Sequence, residues 1–171
     1  ANADSGIFVQ NSQGNLIGTD ADGVSDTFER NLVSGNMHEG IVLLGSAAKQ
    51  NAIAGNSIGV AEDGSIALGN GRAGIFVSIG VTQARIGGGL PAERNVISGN
   101  VGSGIIVDVT QDIWIAGNLI GTNIAGTGAV ANGKHGIDLF SSKTVIGTNG
   151  DGITDSGEGN LISGNKLSGI L

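Results

Sequence analysis

Apolar residues along this chain come in short alternating runs rather than at helical spacing. Gly104-Ile105-Ile106-Val107-Asp108-Val109 and Asp112-Ile113-Trp114-Ile115-Ala116 are the clearest of them. Alternation of β-branched side chains, bounded by glycines and polar residues, is strand periodicity. No stretch holds an amphipathic helical pattern over several turns, and Ser46 to Gly55 is too short and too glycine-bounded to make one. The pattern predicts an all-β chain of many short strands.

Those strands recur on a fixed period. The dipeptide Gly-Ile opens an alternating run at Gly6, Gly40, Gly74, Gly104, Gly136 and Gly169, at spacings of 34, 34, 30, 32 and 33 residues. A longer period lies above it. Arg30-Asn31-Leu32-Val33-Ser34-Gly35-Asn36 returns at Arg94 to Asn100 and again at Gly159 to Asn165, 64 and 65 residues apart. Between these copies, Ile53-Ala54-Gly55-Asn56-Ser57-Ile58-Gly59 is matched by Ile115 to Gly121. Short strands on a regular period, without helices between them, cannot build a doubly wound sheet. Stacked turn on turn, each strand instead pairs in parallel with its equivalent about 4.8 Å away. The expected architecture is a single right-handed parallel β-helix, a β-solenoid spanning residues 1–171, of about five coils of about 32 residues.

The corners follow from the same repeats. Tight bends need positive φ, which glycine accepts freely and asparagine better than most residues. Asparagine side chains at equivalent corners can also bond to one another along the axis. Asn36, Asn56, Asn100, Asn118 and Asn165 are the candidates for such a ladder.

Alternation also sorts the Gly-Ile strands by face. The first and third residues after the glycine, from Ile7 and Val9 to Ile137 and Leu139, are uniformly aliphatic and are expected to point inward. The second then points outward: Phe8, Val42, Phe76, Ile106 and finally Asp138, with Leu44 and Phe140 two positions on. A mostly apolar outer stripe implies a cover. Either a loop of the chain folds back over it, or a partner packs there, which makes Phe8, Val42, Leu44, Phe76, Ile106 and Phe140 a candidate assembly face.

Composition sharpens this picture. There are 33 glycines against one proline (Pro91), and only four phenylalanines and one tryptophan. Aliphatic side chains must therefore fill the core, and the glycines mark turns rather than disorder or collagen. The net charge of −7, with no run of Lys or Arg, argues against nucleic acid or an anionic membrane as partner. No apolar stretch approaches the length that spans a bilayer. Absence of cysteine removes disulfides and thiolate zinc sites, and suits an exported protein. The chain starts at Ala1 with no visible signal peptide, and so is expected to be a processed form or a fragment. Asn2 to Phe8 matches Asn70 to Phe76, so it starts inside a repeat; with no capping helix evident, the body is expected to stack end to end, to bind a neighbouring domain, or to be a fragment of a longer helix.

The Asn-x-Ile-Ser-Gly-Asn and Gly-Asn-x-Ile-Gly-Thr phrases, over the whole chain, resemble the parallel β-helix repeats of large secreted bacterial surface proteins in the pectate-lyase-like superfamily. The resemblance implies the fold and a secreted or cell-surface setting. It does not choose among lyases, hydrolases, adhesins and structural shafts.

Candidate chemistry is sparse. The polygalacturonase-like branch implies Asn-Thr-Asp, Asp-Asp, Gly-His-Gly and Arg-Ile-Lys phrases; only Lys134-His135-Gly136 echoes one of them. His135 and Asp138 are weak candidates for an acid–base pair, against the plainer reading of a surface histidine beside an outward aspartate. Gly87-Gly88-Gly89 lacks the following helix and Lys-Ser/Thr of a phosphate loop and reads as a turn. Thr19, Thr122 and Thr148 do not form a regular array suited to ice. The acidic loops are more suggestive. Asp20-Ala21-Asp22-Gly23-Val24-Ser25-Asp26 aligns at an offset of 129 with Asn149 to Asp155, and Glu29 with Glu158. The intermediate copy, Ile86 to Asn95, is five residues shorter and reads as lacking these carboxylates. Asp20, Asp22, Asp26, Asp151 and Asp155 are accordingly candidate calcium ligands, although acidic glycine-rich loops are also ordinary turns.

The expected function is a structural or assembly solenoid that packs with other copies or with adjoining domains of the same protein into a filament or shaft. The alternative is a carbohydrate-binding or carbohydrate-processing β-helix, with polysaccharide as ligand. An adhesin role is not separable from the first reading by sequence.

Overall fold

A computed structural model of the chain describes residues 1–140 and 143–171. The described residues form a parallel β-solenoid with three sheets. The first contains Ile7–Gln10, Ile41–Leu44, Ile75–Val77, Ile105–Asp108 and Ile137–Phe140. The second stacks Leu16–Gly18, Ala52–Ala54, Arg85–Gly87, Ile113–Ala116 and Thr144–Ile146, and the third Leu32–Val33, Ser57–Ile58, Val96–Ile97, Leu119–Ile120 and Leu161–Ile162. Every strand pair in the three sheets is parallel and joins consecutive turns. Five rungs per sheet are separated by four stacking intervals. The solenoid thus makes about four turns, one fewer than counting repeats suggests, because repeats number the rungs and turns number the steps between them.

Register is in phase with the Gly-Ile phrase. Ile7, Ile41, Ile75, Ile105 and Ile137 stand directly above one another. Each amide donates to the glycine carbonyl one turn on: Ile41 N to Gly74 O, Ile75 N to Gly104 O and Ile105 N to Gly136 O, all at 2.9 Å. That stacking explains the glycine. A Cβ added at Gly74 would lie 2.7 Å from Gly104 O and 2.8 Å from both Asn100 Nδ2 and Ile97 Cγ2. No side chain fits there without displacing backbone.

The interior is a column of branched aliphatics. Ile41, Ile53, Ile58, Ile75, Ile86, Ile97, Ile105, Ile113, Ile115, Ile120 and Ile137 are all fully buried, and no aromatic ring joins them. Isoleucine suits this site because its stiff β-branched side chain packs well on a pleated surface. Each contributes about 1.5–3 kcal/mol by leaving water. Trp114 lies in a strand of the second sheet, half-buried, and its indole N–H donates to Gly147 O at 2.9 Å. Its role is packing between adjacent turns.

Candidate functional site

Two corner ladders run along the solenoid, where one was expected. In the first, Nδ2 of Asn2 donates to Oδ1 of Asn36, and the relay continues through Asn70, Asn100, Asn132 and Asn165 at 2.8–3.0 Å. In the second, Asn31, Asn56, Asn95, Asn118 and Asn160 are linked in the same sense at 2.8–3.1 Å. Asn36, Asn100 and Asn165 therefore belong to one ladder, and Asn56 and Asn118 to the other. From Asn56 and Asn70 onward, the second hydrogen of each interior amide ties it to backbone: Asn118 Nδ2 reaches Ile86 O and Ala116 O, both at 2.9 Å. Every donor points along the axis in one direction, so the dipoles add and the bonds reinforce one another. The remaining members, Asn2, Asn70 and Asn132 on one side and Asn31, Asn95 and Asn160 on the other, were readable from repeat equivalence.

The outer face of the first sheet carries the apolar column. Phe8, Val42, Phe76, Ile106 and Asp138 are neighbours in register. Val42 is only 4% exposed, which corrects its place in an exposed assembly stripe. The rings of Phe8 and Phe76, one rung away on either side, flank the smaller side chain. Leu44, Phe76 and Ile106 are half-buried, and only Phe8 (54%) and Phe140 (60%) stand mostly in solvent. Much of the stripe is covered by itself.

Asp138 closes that column. A cleft of about 370 Å³ beside it is lined by Glu39, Arg72, Ser103, Ile106 and Lys134. Arg72 and Glu39 form an ion pair at 3.6 Å. Asp138 is 9% exposed, and its Oδ1 has no hydrogen-bond partner; Ser103 Oγ is likewise buried and unpartnered. His135 is engaged elsewhere: its Nδ1 accepts the Ser168 amide at 3.2 Å. Among the described residues no hydrogen bond joins His135 to Asp138.

The acidic loops adopt one conformation twice. Positive φ occurs at Ala21, Gly23 and Ser25 and equally at Gly150, Gly152 and Thr154. Matching bonds support it: Asp22 Oδ1 accepts the Val24 amide at 2.7 Å, as Asp151 Oδ1 accepts that of Ile153. The five aspartates divide into two groups. Asp20, Asp22 and Asp26 each bring one carboxylate oxygen within 4.8 Å of the others, and so do Asp151, Asp155 and Glu158. Glu158 joins the second group, although the expected ligand set names aspartates alone. It is 1% exposed; one oxygen accepts the Asn149 amide at 2.9 Å, and Oε1 has no partner.

No family model, no curated protein and no solved structure matches this chain.

The short intermediate loop then becomes the best available comparison, because it lies within the same molecule. Glu93 precedes the ladder residue Asn95 by two positions, as Glu29 precedes Asn31 and Glu158 precedes Asn160. The short copy thus keeps the glutamate, against the expectation that it lacks all these carboxylates, and lacks only the aspartates. Its carboxylate pairs with the Arg85 guanidinium and accepts the Leu90 amide at 3.0 Å. Gly88 lies beneath that pair and leaves room for it, since a Cβ there would meet both side chains. The Gly87-Gly88-Gly89 turn thus makes room for an internal ion pair. Thr19 and Thr122 are buried, so they offer nothing to an ice surface.

The outermost rungs among the described residues carry unpaired strand edges. The Ile7–Gln10 strand pairs on one side only, whereas Ile137–Phe140 is already met by the start of the next rung, with Ile137 N donating to Gly169 O at 2.9 Å and Leu139 N to Leu171 O at 3.0 Å. Ile7, Val9, Leu139, Ile146 and Ile162 pack against the core but stay partly exposed.

Proposed function

We propose that this chain is a structural, assembly-forming β-solenoid of an extracellular or cell-surface bacterial protein, of the right-handed pectate-lyase-like type that its repeats resemble. The supporting observation is the set of unpaired strand edges on the outermost rungs. At the first rung all three strand edges are unpaired, and at the last the Thr144–Ile146 and Leu161–Ile162 edges are, beside partly exposed core aliphatics that further solenoid turns would pair and bury. Further turns of the same protein meet that need, as do those of a second copy through a head-to-tail contact that repeats without closing. The lateral stripe supports this less strongly, because Val42 is already covered. Sedimentation of the purified chain is expected to show concentration-dependent growth of end-to-end species. Val9→Lys, which places a charge on one open end, is expected to reduce the association at least about tenfold. A chain that stays monomeric at all concentrations would contradict the reading.

A polysaccharide-binding role is the second reading, favoured by the cleft at Asp138. A buried carboxylate oxygen and the Ser103 hydroxyl, both unpartnered, beside Arg72 and Lys134 match the donor and acceptor pattern of sugar hydroxyls. On this reading Asp138→Ala abolishes retardation of the chain in polysaccharide-containing gels; equal migration of parent and variant in every polysaccharide tested sinks it.

A further inference from the structure

We propose that the loop of the fifth rung, through Asp151, Asp155 and Glu158, is a calcium site. Three carboxylates offer oxygens within 4.8 Å of one another, but a group of acids alone is common on surfaces. Glu158 sets this one apart. It is 1% exposed, and Oε1 is buried with no hydrogen-bond donor. Burying a carboxylate oxygen that nothing satisfies is costly unless a counter-charge completes the site. Among the described residues no Lys, Arg or His nitrogen forms an ion pair with it.

The repeat shows what completes the same position elsewhere. At Glu93, the equivalent glutamate, the counter-charge is the Arg85 guanidinium. Arg85 stands in a column of the second sheet with Leu16, Ala52, Trp114 and Val145. In the fifth rung that place belongs to Val145, which can neutralise nothing. Where the protein lacks its own cation, it gathers Asp151 and Asp155 around the glutamate. A bound cation does at Glu158 what arginine does at Glu93.

The donor set selects the cation class. Every donor is a carboxylate oxygen, with no imidazole or thiolate, which disfavours zinc, copper and nickel. Three carboxylates leave several positions for backbone carbonyls and water, as a flexible coordination number of 6–8 allows for calcium. Magnesium demands a stricter octahedron and sheds its water reluctantly. The first loop is the weaker copy, since Glu29 is only half-buried and leaves no buried oxygen unpartnered.

The site also has a structural consequence. Gly117 N donates to Glu158 O at 2.9 Å, and Gly157 packs directly on Gly89 O. A cation at Glu158 would fasten the fifth-rung loop to the turns beneath it.

Titration of the metal-free chain with calcium chloride, read by calorimetry and by thermal melting, tests this. Calcium at about one hundred times its dissociation constant is expected to raise the Tm by about 5 °C or more. Glu158→Gln removes the unpaired charge, and is expected to fold at least as well without calcium while losing at least about tenfold in calcium affinity. Asp151→Asn, at the surface, is expected to weaken binding without disturbing the fold, whereas Asp22→Asn leaves it unchanged. No heat and no shift in Tm up to millimolar calcium overturns the proposal. So does a Glu158→Gln and an Asp151→Asn chain that both respond like the parent, and an equal response to magnesium overturns the choice of calcium.

Discussion

Asn118→Ala is expected to destabilise the solenoid by about 3–5 kcal/mol, the largest loss from any single corner residue. The side chain is fully buried and holds the relay between turns. Its Nδ2 donates to Asn160 Oδ1 at 3.0 Å and to the Ile86 and Ala116 carbonyls, while its Oδ1 accepts from Asn95 Nδ2 at 2.8 Å. Alanine leaves partners on three successive turns short of a bond where water does not reach. Each buried polar group so stranded costs about 1–3 kcal/mol. The neighbouring Gly117 adds to the constraint: with φ of +70° and a virtual Cβ 2.1 Å from Gly88 O, it holds the corner in a shape only glycine adopts freely. Asn2→Ala, at the exposed start of the other ladder, is the matched control and is expected to cost under about 1 kcal/mol. Denaturant melts of both variants decide the point. Equal, small losses would mean that the ladder is decoration and that the sheets alone hold the turns.

Ile105→Ala is the second large effect, at about 3–4 kcal/mol. Ile105 is fully buried in the middle of the core, stacked between Ile75 and Ile137. Truncation removes transfer free energy and leaves a cavity in a column whose glycine-lined backbone stacking leaves little freedom to collapse. The adjacent Ile106 faces outward and is half-buried, so Ile106→Ala is expected to cost about 1 kcal/mol. The ratio between two neighbouring isoleucines tests the facing of the strand directly. In a solenoid the loss need not spread evenly, because each turn is held mainly by its neighbours. Hydrogen exchange is expected to show the fourth rung and the terminal fifth rung stacked on it opening first in the Ile105→Ala chain.

Sequence carried the fold because period, phase and face all lie in local patterns. Ile105 and Val107 could be turned inward from alternation alone, and the Gly-Ile phrase set the register of all five rungs. Two features were harder to read. Both corner series end in Gly-Asn, so Asn56 and Asn118 merge with Asn36, Asn100 and Asn165 until the three-dimensional path separates them. Val42 has the alternation of an exposed residue, but its burial depends on the size of Phe8 and Phe76, each 34 residues away. The acidic loops were visible as aspartates. The feature that distinguishes them, the buried Oε1 of Glu158 against the arginine-paired Glu93, depends on a partner eight residues from Glu93 in a neighbouring strand. Spacing of like residues does not reveal that exchange of arginine for acids.

The most direct test of the assembly reading is electron microscopy of the purified chain at increasing concentration. Stacking of five-rung units predicts unbranched filaments with an axial repeat of about 24 Å, five times the strand spacing. Isolated rods no longer than one unit at every concentration would contradict it.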